Sequence, residues 1–215
     1  MFLNTILDWV FPAKCISCGK SGTELCAVCL SDAPSAERES AKWIFPIYDY
    51  RHPLIKKSLW LLKYSGKKRL AKIFAEVLSE KISEELSELS ALQNFTCPIL
   101  IPIPLSKKRY RERGYNQTEL ICREIIHLTP ALTLEKNILI KTKETEHQAR
   151  IKDRNARLKN IISSFAVKNE NINKIKNRNI ILIDDITTTG ATLLEAKKVL
   201  KKAGAGKVIA FTVAH

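Results

Sequence analysis

The segment RNIILIDDITTTGATLLEA, residues 178–196, runs an apolar stretch into two adjacent carboxylates, then into hydroxyls and one glycine, then into a helical pattern. An apolar run of this length bounded by turn residues reads as a buried strand. ATLLEAKKVLKKAG follows as a helix ended by Gly204, and KVIAFTVAH closes the sequence as another strand. Strands alternating with helices dictate a mostly parallel sheet covered on both faces. The chain is therefore read as an α/β protein with a mainly parallel open sheet flanked by helices.

The chemistry of the opening segment follows from that placement. At the carboxyl edge of a parallel sheet, the turn into the next helix offers free backbone N–H groups and the positive end of a helix dipole, an anion site. Thr187, Thr188, Thr189, Gly190, Ala191 and Thr192 form this turn: Gly190 frees the backbone, and the hydroxyls donate toward phosphate oxygens. Asp184 and Asp185 cannot share that phosphate, because like charges repel. Their partners are vicinal sugar hydroxyls, or Mg²⁺ held directly or through water. The pattern thus points to a phosphorylated ribose. A solvated turn with incidental acids is the competing reading, and the order of strand, acids, hydroxyl turn and helix argues against it. GAGKV at 204–208 imitates the end of a P-loop, yet it follows a helix and carries Val208 where Ser or Thr belongs.

Upstream, WIFPIYDY reads as extended and PLIKKSLWLLKYSG as helical, with Ile55, Leu59 and Leu62 on one face. Residues 69–89 continue as a longer amphipathic helix buried through Leu70, Phe74, Val77, Leu78, Ile82, Leu86 and Leu89. CPILIPIPLS is a buried strand bounded by prolines. Asn116 and Glu119 form a capping pair for a helix reaching Leu128. LEKNILIKT and FAVKN are further strand candidates. Directly after CPILIPIPLS, SKKRYRERGYNQ reads as a mobile loop at the strand edge, with Lys107, Lys108, Arg109, Arg111 and Arg113 around Tyr110 and Tyr115. Cations interleaved with aromatics suit either pyrophosphate or single-stranded nucleic acid. A solvated loop is the bland alternative. RIKDRNARLK extends such a surface or is an exposed helix face.

Four of the six cysteines read Cys15-x-x-Cys18 and Cys26-x-x-Cys29. Two CxxC pairs close a tetrahedral shell around Zn²⁺ with no position left open, so the expected metal is structural. Disulfides or a redox CxxC are the rivals, disfavoured by a reducing cytosol and by the duplication. Cys97 and Cys122 are expected to be buried small apolar groups. The metal module, preceded by an amphipathic stripe of Phe2, Leu3, Ile6, Leu7 and Val10, is expected over 1–40, with the sheet domain over 41–215. His52, His127, His147 and His215 share no ligand spacing.

A net charge of +14 favours phosphate-bearing partners, although solvated helix faces explain it equally. No apolar run approaches the roughly 18 residues of a membrane span. The start MFLNTILDWVFP lacks a basic n-region and a cleavage pattern, so cytoplasm is the expected compartment.

IILIDDITTTGATL closely resembles the phosphoribosyl pyrophosphate motif of the type I phosphoribosyltransferases. That resemblance implies the family's open parallel sheet and displacement of pyrophosphate with Mg²⁺ on the leaving group. Asp184 and Asp185, the expected catalytic pair, would then hold the ribose hydroxyls, and Thr187 to Thr192 the 5-phosphate. The likeness extends further. The double CxxC, LKYSG at 62–66, IPIPLSKKRYRERGYNQTEL at 101–120, HQAR at 147–150, Arg157, Asn160 and Phe165 are similar to the ComF family of competence proteins. That family is linked to uptake of single-stranded DNA in natural transformation. The resemblance implies phosphoribosyl pyrophosphate and single-stranded DNA, or DNA-handling proteins, as partners. Lys63 with Ser65 and Gly66 would form a pyrophosphate turn, and Lys107, Lys108, Arg109, Arg111, Arg113, Tyr115, Asn116 and Gln117 a pyrophosphate or nucleic-acid contact. The alternative is a metabolic phosphoribosyltransferase with a nucleobase or amine acceptor, and whether the chain turns over is open on sequence alone.

Overall fold

Five strands pair in parallel in the order β1-β7-β6-β2-β3: β1 (Ile44–Tyr48), β2 (Ile99–Pro102), β3 (Thr133–Leu134), β6 (Ile180–Ile186) and β7 (Val208–Ala214). The computed structural model describes residues 13–37, 41–144 and 161–215. The N-terminal stripe from Phe2 to Val10, HQAR at 147–150, RIKDRNARLK, Arg157 and Asn160 lie outside the described residues, as does the end of the linker after 37.

Side-chain alternation along the strands divides the core into two layers. Leu100, Ile181, Ile183, Ile209, Phe211 and Val213 face one side, against α2 (Pro53–Tyr64), α3 (Leu70–Gln93) and α5 (Gln117–Leu128). Ile99, Ile101, Ile180, Leu182, Val208 and Ala210 face the other. There they meet α7 (Ala191–Lys202) and a second sheet in which β4 (Leu139–Lys141) pairs antiparallel with β5 (Phe165–Val167). Strands β6 and β7 are therefore apolar on both faces, which is why the sequence shows continuous runs there and no alternation.

Several expectations change. SKKRYRERGYNQ is mostly helical: α4 (Lys107–Arg113) starts where the Ser106 side chain accepts from the Arg109 amide at 3.4 Å and stops at Gly114, φ 75°. LEKNILIKT is two strands, β3 in the parallel sheet and β4 in the small one, and FAVKN supplies the partner of β4. Cys97 is exposed, at φ 44°, because it lies in the bend that precedes β2; Cys122 is fully buried in α5. Asn116 caps α5 by accepting from the Thr118 amide at 3.0 Å, whereas Glu119 faces outward to Arg123 at 2.6 Å and Lys136 at 3.3 Å.

Ala27–Ser31 forms a short α1 beside the cysteine pairs, and Leu25 and Leu30 join the same apolar cluster as Ile55, Leu59 and Leu62 of α2. Among the described residues no helix is long and apolar enough to cross a membrane. A four-residue helix, α6 (Ile172–Ile175), completes the elements before β6.

Candidate functional site

Alternation sends the two carboxylates at the end of β6 to opposite layers. Asp185 follows Ile183 toward α2 and α5, where its Oδ2 takes Lys63 Nζ at 2.8 Å and the Gln117 side-chain amide at 2.7 Å. Asp184 follows Leu182 toward the small sheet, and its Oδ1 accepts from the Asp185 amide at 2.8 Å. Both carboxylates line one crevice of about 230 Å³.

Beyond them the chain turns. The Thr187 amide still pairs with the Ala214 carbonyl at 2.9 Å, while Thr188 is exposed and Thr189 half-buried. Gly190 takes φ 71° as the residue before α7, and a Cβ there would stand 3.2 Å from Ile44 Cδ1. No side chain of Gly190 caps the helix, so its first turn opens on the crevice, with the Ala191 amide reaching Thr189 Oγ1 at 3.4 Å. The segment from Asp184 through Leu193 lines the same cavity.

Cations and aromatics complete the walls. Arg113 donates to Gln117 Oε1 at 2.7 Å and to the Tyr64 hydroxyl at 3.2 Å, with its guanidinium 4.9 Å over the Tyr64 ring. Arg109 also lines the cavity, held below the usual arginine range by burial and by Arg113. Thr118, buried in the wall, has a hydroxyl with no hydrogen-bond partner among the described residues. Opposite, Lys141 enters from β4, its ammonium 5.4 Å from the Phe165 ring centroid. Burial pulls Lys141 down to about 8, and Arg109 adds to the fall. Burial pushes Asp184 up to about 7, reinforced by the charge of Asp185.

The structure thus gathers Asp184, Asp185, the turn from Thr187 to Thr192, Lys63, Arg109, Arg113 and Gln117 around one cavity. It does not bring Lys107, Lys108 or Arg111 there; they are exposed on the far side of α4. Tyr115 donates its hydroxyl to the Leu62 carbonyl under Lys68, 4.8 Å from its ring, and Asn116 donates to the Ile103 carbonyl at 3.0 Å. These two residues tie α5 to its neighbours. Sequence reasoning misses Lys141, concealed as the last residue of an apolar strand, and Trp60, whose signal is an aromatic lying off the buried stripe of α2.

A second site lies apart from the crevice. The ligand atoms of Cys15, Cys18, Cys26 and Cys29 all fall within 4.8 Å of one another. Tetrahedral Zn–S bonds of about 2.3 Å place sulfurs about 3.8 Å apart. Cys18 Sγ and Cys26 Sγ are 3.7 Å apart, so the cluster can hold a metal ion of that size. Burial alone would raise the Cys15 thiol, yet backbone amides of Cys18, Cys26 and Ser17 outweigh it and bring it down to about 6. That favours the thiolate at this one position; at Cys29 a hydrogen bond with Ser17 lowers the thiol, but those with Cys26 and Cys18 outweigh it and push it up to about 12.

A parallel α/β domain whose acidic strand end opens through a hydroxyl turn into a helix is of the phosphoribosyltransferase class. The profile of the phosphoribosyl transferase domain matches residues 105–215, and the chain belongs to that family. It is 37% identical over 111 residues to Competence protein F of Haemophilus influenzae, covering 51% of this chain and 46% of that protein. It is 32% identical over 170 residues to Competence protein ComFC of Bacillus subtilis, covering 78% of this chain and 62% of that protein. To the DNA utilization protein YhgH of Salmonella typhi it is 25% identical over 189 residues, covering 85% of this chain and 74% of that protein. The match thus spans less than two thirds of the first two relatives' length, 46% and 62%.

Proposed function

We propose that the crevice binds phosphoribosyl pyrophosphate together with Mg²⁺, and that the chain associates with single-stranded DNA or DNA-handling proteins on the cytoplasmic side to support DNA uptake. The observation that carries the ligand is the convergence of the acidic pair, the hydroxyl turn and the cations Lys63, Arg109 and Arg113 on one cavity. Asp184 and Asp185 accept from the vicinal ribose hydroxyls, and the turn with the α7 N-terminus takes the 5-phosphate. The diphosphate lies toward Lys63, Arg109 and Arg113. Mg²⁺, when bound, neutralises the leaving group, and carboxylate with phosphate oxygens form the hard donor set it takes. Without ligand, Lys63 and Gln117 satisfy Asp185, so binding exchanges these partners for sugar hydroxyls and frees Lys63 to turn to the diphosphate. The four thiolates hold a structural zinc, which leaves no open position for chemistry. Support for the DNA role comes from the names of the relatives, competence proteins and a DNA utilization protein.

Calorimetry with phosphoribosyl pyrophosphate tests the ligand. The wild-type chain binds it in a Mg²⁺-dependent way, and Asp185→Asn combined with Thr188→Ala weakens binding about 100-fold, as expected for two charge-assisted contacts. Unchanged affinity in that variant removes the reading. Product analysis with labelled donor and a panel of nucleobases checks the role: efficient turnover on one base points instead to a metabolic transferase.

A further inference from the structure

Two aromatic side chains stand half-exposed beside the crevice, and among the described residues no apolar layer covers them. Trp60 and Tyr64 are one turn apart on α2, off the stripe of Ile55, Leu59 and Leu62 that packs inward. They are 53% and 51% exposed. Their ring centroids are 5.9 Å apart at 46°, and Arg113 covers the Tyr64 ring from the side of α4. Both rings line the cavity that holds Asp184 and Asp185. The arrangement is an aromatic seat with a guanidinium at its edge, open at the rim.

Helix α4 supplies the charge to go with it. Arg109 and Arg113, four apart, turn toward the crevice, while Lys107, Lys108 and Arg111 are exposed on the other side. A polyanion crossing α4 therefore passes from outward cations to the rim where Trp60 stands. A base inside a duplex offers no free ring face, whereas an unpaired base stacks on an aromatic while its backbone follows nearby cations. We propose that Trp60 and Tyr64, edged by Arg113, seat a nucleobase of single-stranded DNA, whose phosphates run over Lys107, Lys108 and Arg111. This deepens the DNA-associating part of the proposed function, and is independent of whether the crevice takes phosphoribosyl pyrophosphate.

Binding of a fluorescein-labelled oligothymidine to the full chain, measured by anisotropy across a salt series, provides the test. Trp60→Ala weakens binding about tenfold at every salt concentration and leaves the salt slope unaltered, because it removes stacking and no charge. Trp60→Phe keeps a ring face and binds within about threefold of wild type. Lys107→Ala with Arg111→Ala lowers the slope, by about 0.7 for each phosphate that is no longer neutralised. Tryptophan fluorescence with unlabelled oligothymidine adds a local readout: wild type is quenched and Trp60→Phe is not. The proposal is overturned if Trp60→Ala binds as tightly as wild type, or if free thymidine quenches Trp60 as strongly as the oligomer, which would make the seat a small-molecule subsite. Absence of any oligothymidine binding by wild type sinks the DNA association itself. In contrast, loss of donor binding with DNA binding intact sinks only the sugar-phosphate reading.

Discussion

Burial raises the Asp184 carboxyl to about 7 from 3.8, and the charge of Asp185 contributes next. A carboxyl whose folded value lies above its unfolded one keeps a proton in the native state that the unfolded chain has already released. Stability therefore falls as pH rises from near 4 toward 7, and is lowest above that window. Asp184→Asn keeps the shape and removes the titration. The variant is expected to melt above wild type at pH 8, by up to a few kcal/mol at about 1.4 kcal/mol per pH unit of separation, and to match it near pH 4. Thermal melts at the two pH values check this; equal shifts at both would exclude the carboxyl as the source. Asp185 differs because alternation delivers it to Lys63 and Gln117. The acid pair and its turn are legible in sequence, since all their residues are consecutive. The partners are less so. Lys63 is signalled by a short motif and Lys141 by none, because nothing in an apolar strand indicates that its last side chain reaches a cavity formed by other segments.

The turn between β6 and α7 depends on its glycine. Gly190→Ala forces a side chain into the left-handed region at φ 71° and puts its Cβ 3.2 Å from Ile44 Cδ1. The cost is about 1–2 kcal/mol, with donor affinity reduced as the first turn of α7 moves away from the phosphate. Urea unfolding and calorimetry on the same variant measure both; a stable protein with intact affinity would show that the turn tolerates other conformations. Strand β6, α7 and β7 are readable because each is long and sharply bounded. Helix α4 is not, since its seven residues, KKRYRER, present no apolar stripe, and its charge pattern reads equally as a solvated loop. The legible signal lies at its ends, Ser106 as N-cap and Gly114 as terminator, and capping residues locate a helix that periodicity misses. Strands β3 and β4 merge in the sequence because two short apolar runs with few residues between them do not reveal that they join different sheets.

On the scale of the whole molecule, the cysteine cluster and the crevice share a helix. Leu25 and Leu30 pack into the same apolar cluster as Leu59 and Leu62, on the helix that ends with Lys63 and Tyr64. Two polar ties reinforce the packing: Lys57 Nζ donates to the Ile16 carbonyl at 3.2 Å, and Lys67 Nζ meets Glu24 Oε1 at 3.2 Å. Glu24 is buried, and its other oxygen has no partner among the described residues, so Lys67 is the cation that compensates a costly charge. Lys67 sits in the turn immediately after Lys63, where its amide reaches the Leu61 carbonyl at 3.4 Å. Binding energy of a structural metal is folding energy for the loops that hold it. If the four thiolates hold zinc as proposed, stripping it with a selective chelator, Mg²⁺ being kept present, is expected to lower the melting temperature and to weaken donor binding about tenfold through loss of support under α2. Glu24→Gln leaves the four thiolates in place and removes only the tie to Lys67. It should retain zinc, as counted by metal analysis, while losing a smaller part of the affinity. If the metal-free chain binds the donor as tightly as the loaded one, the cluster and the crevice are energetically separate, and the shared apolar layer carries no coupling between them.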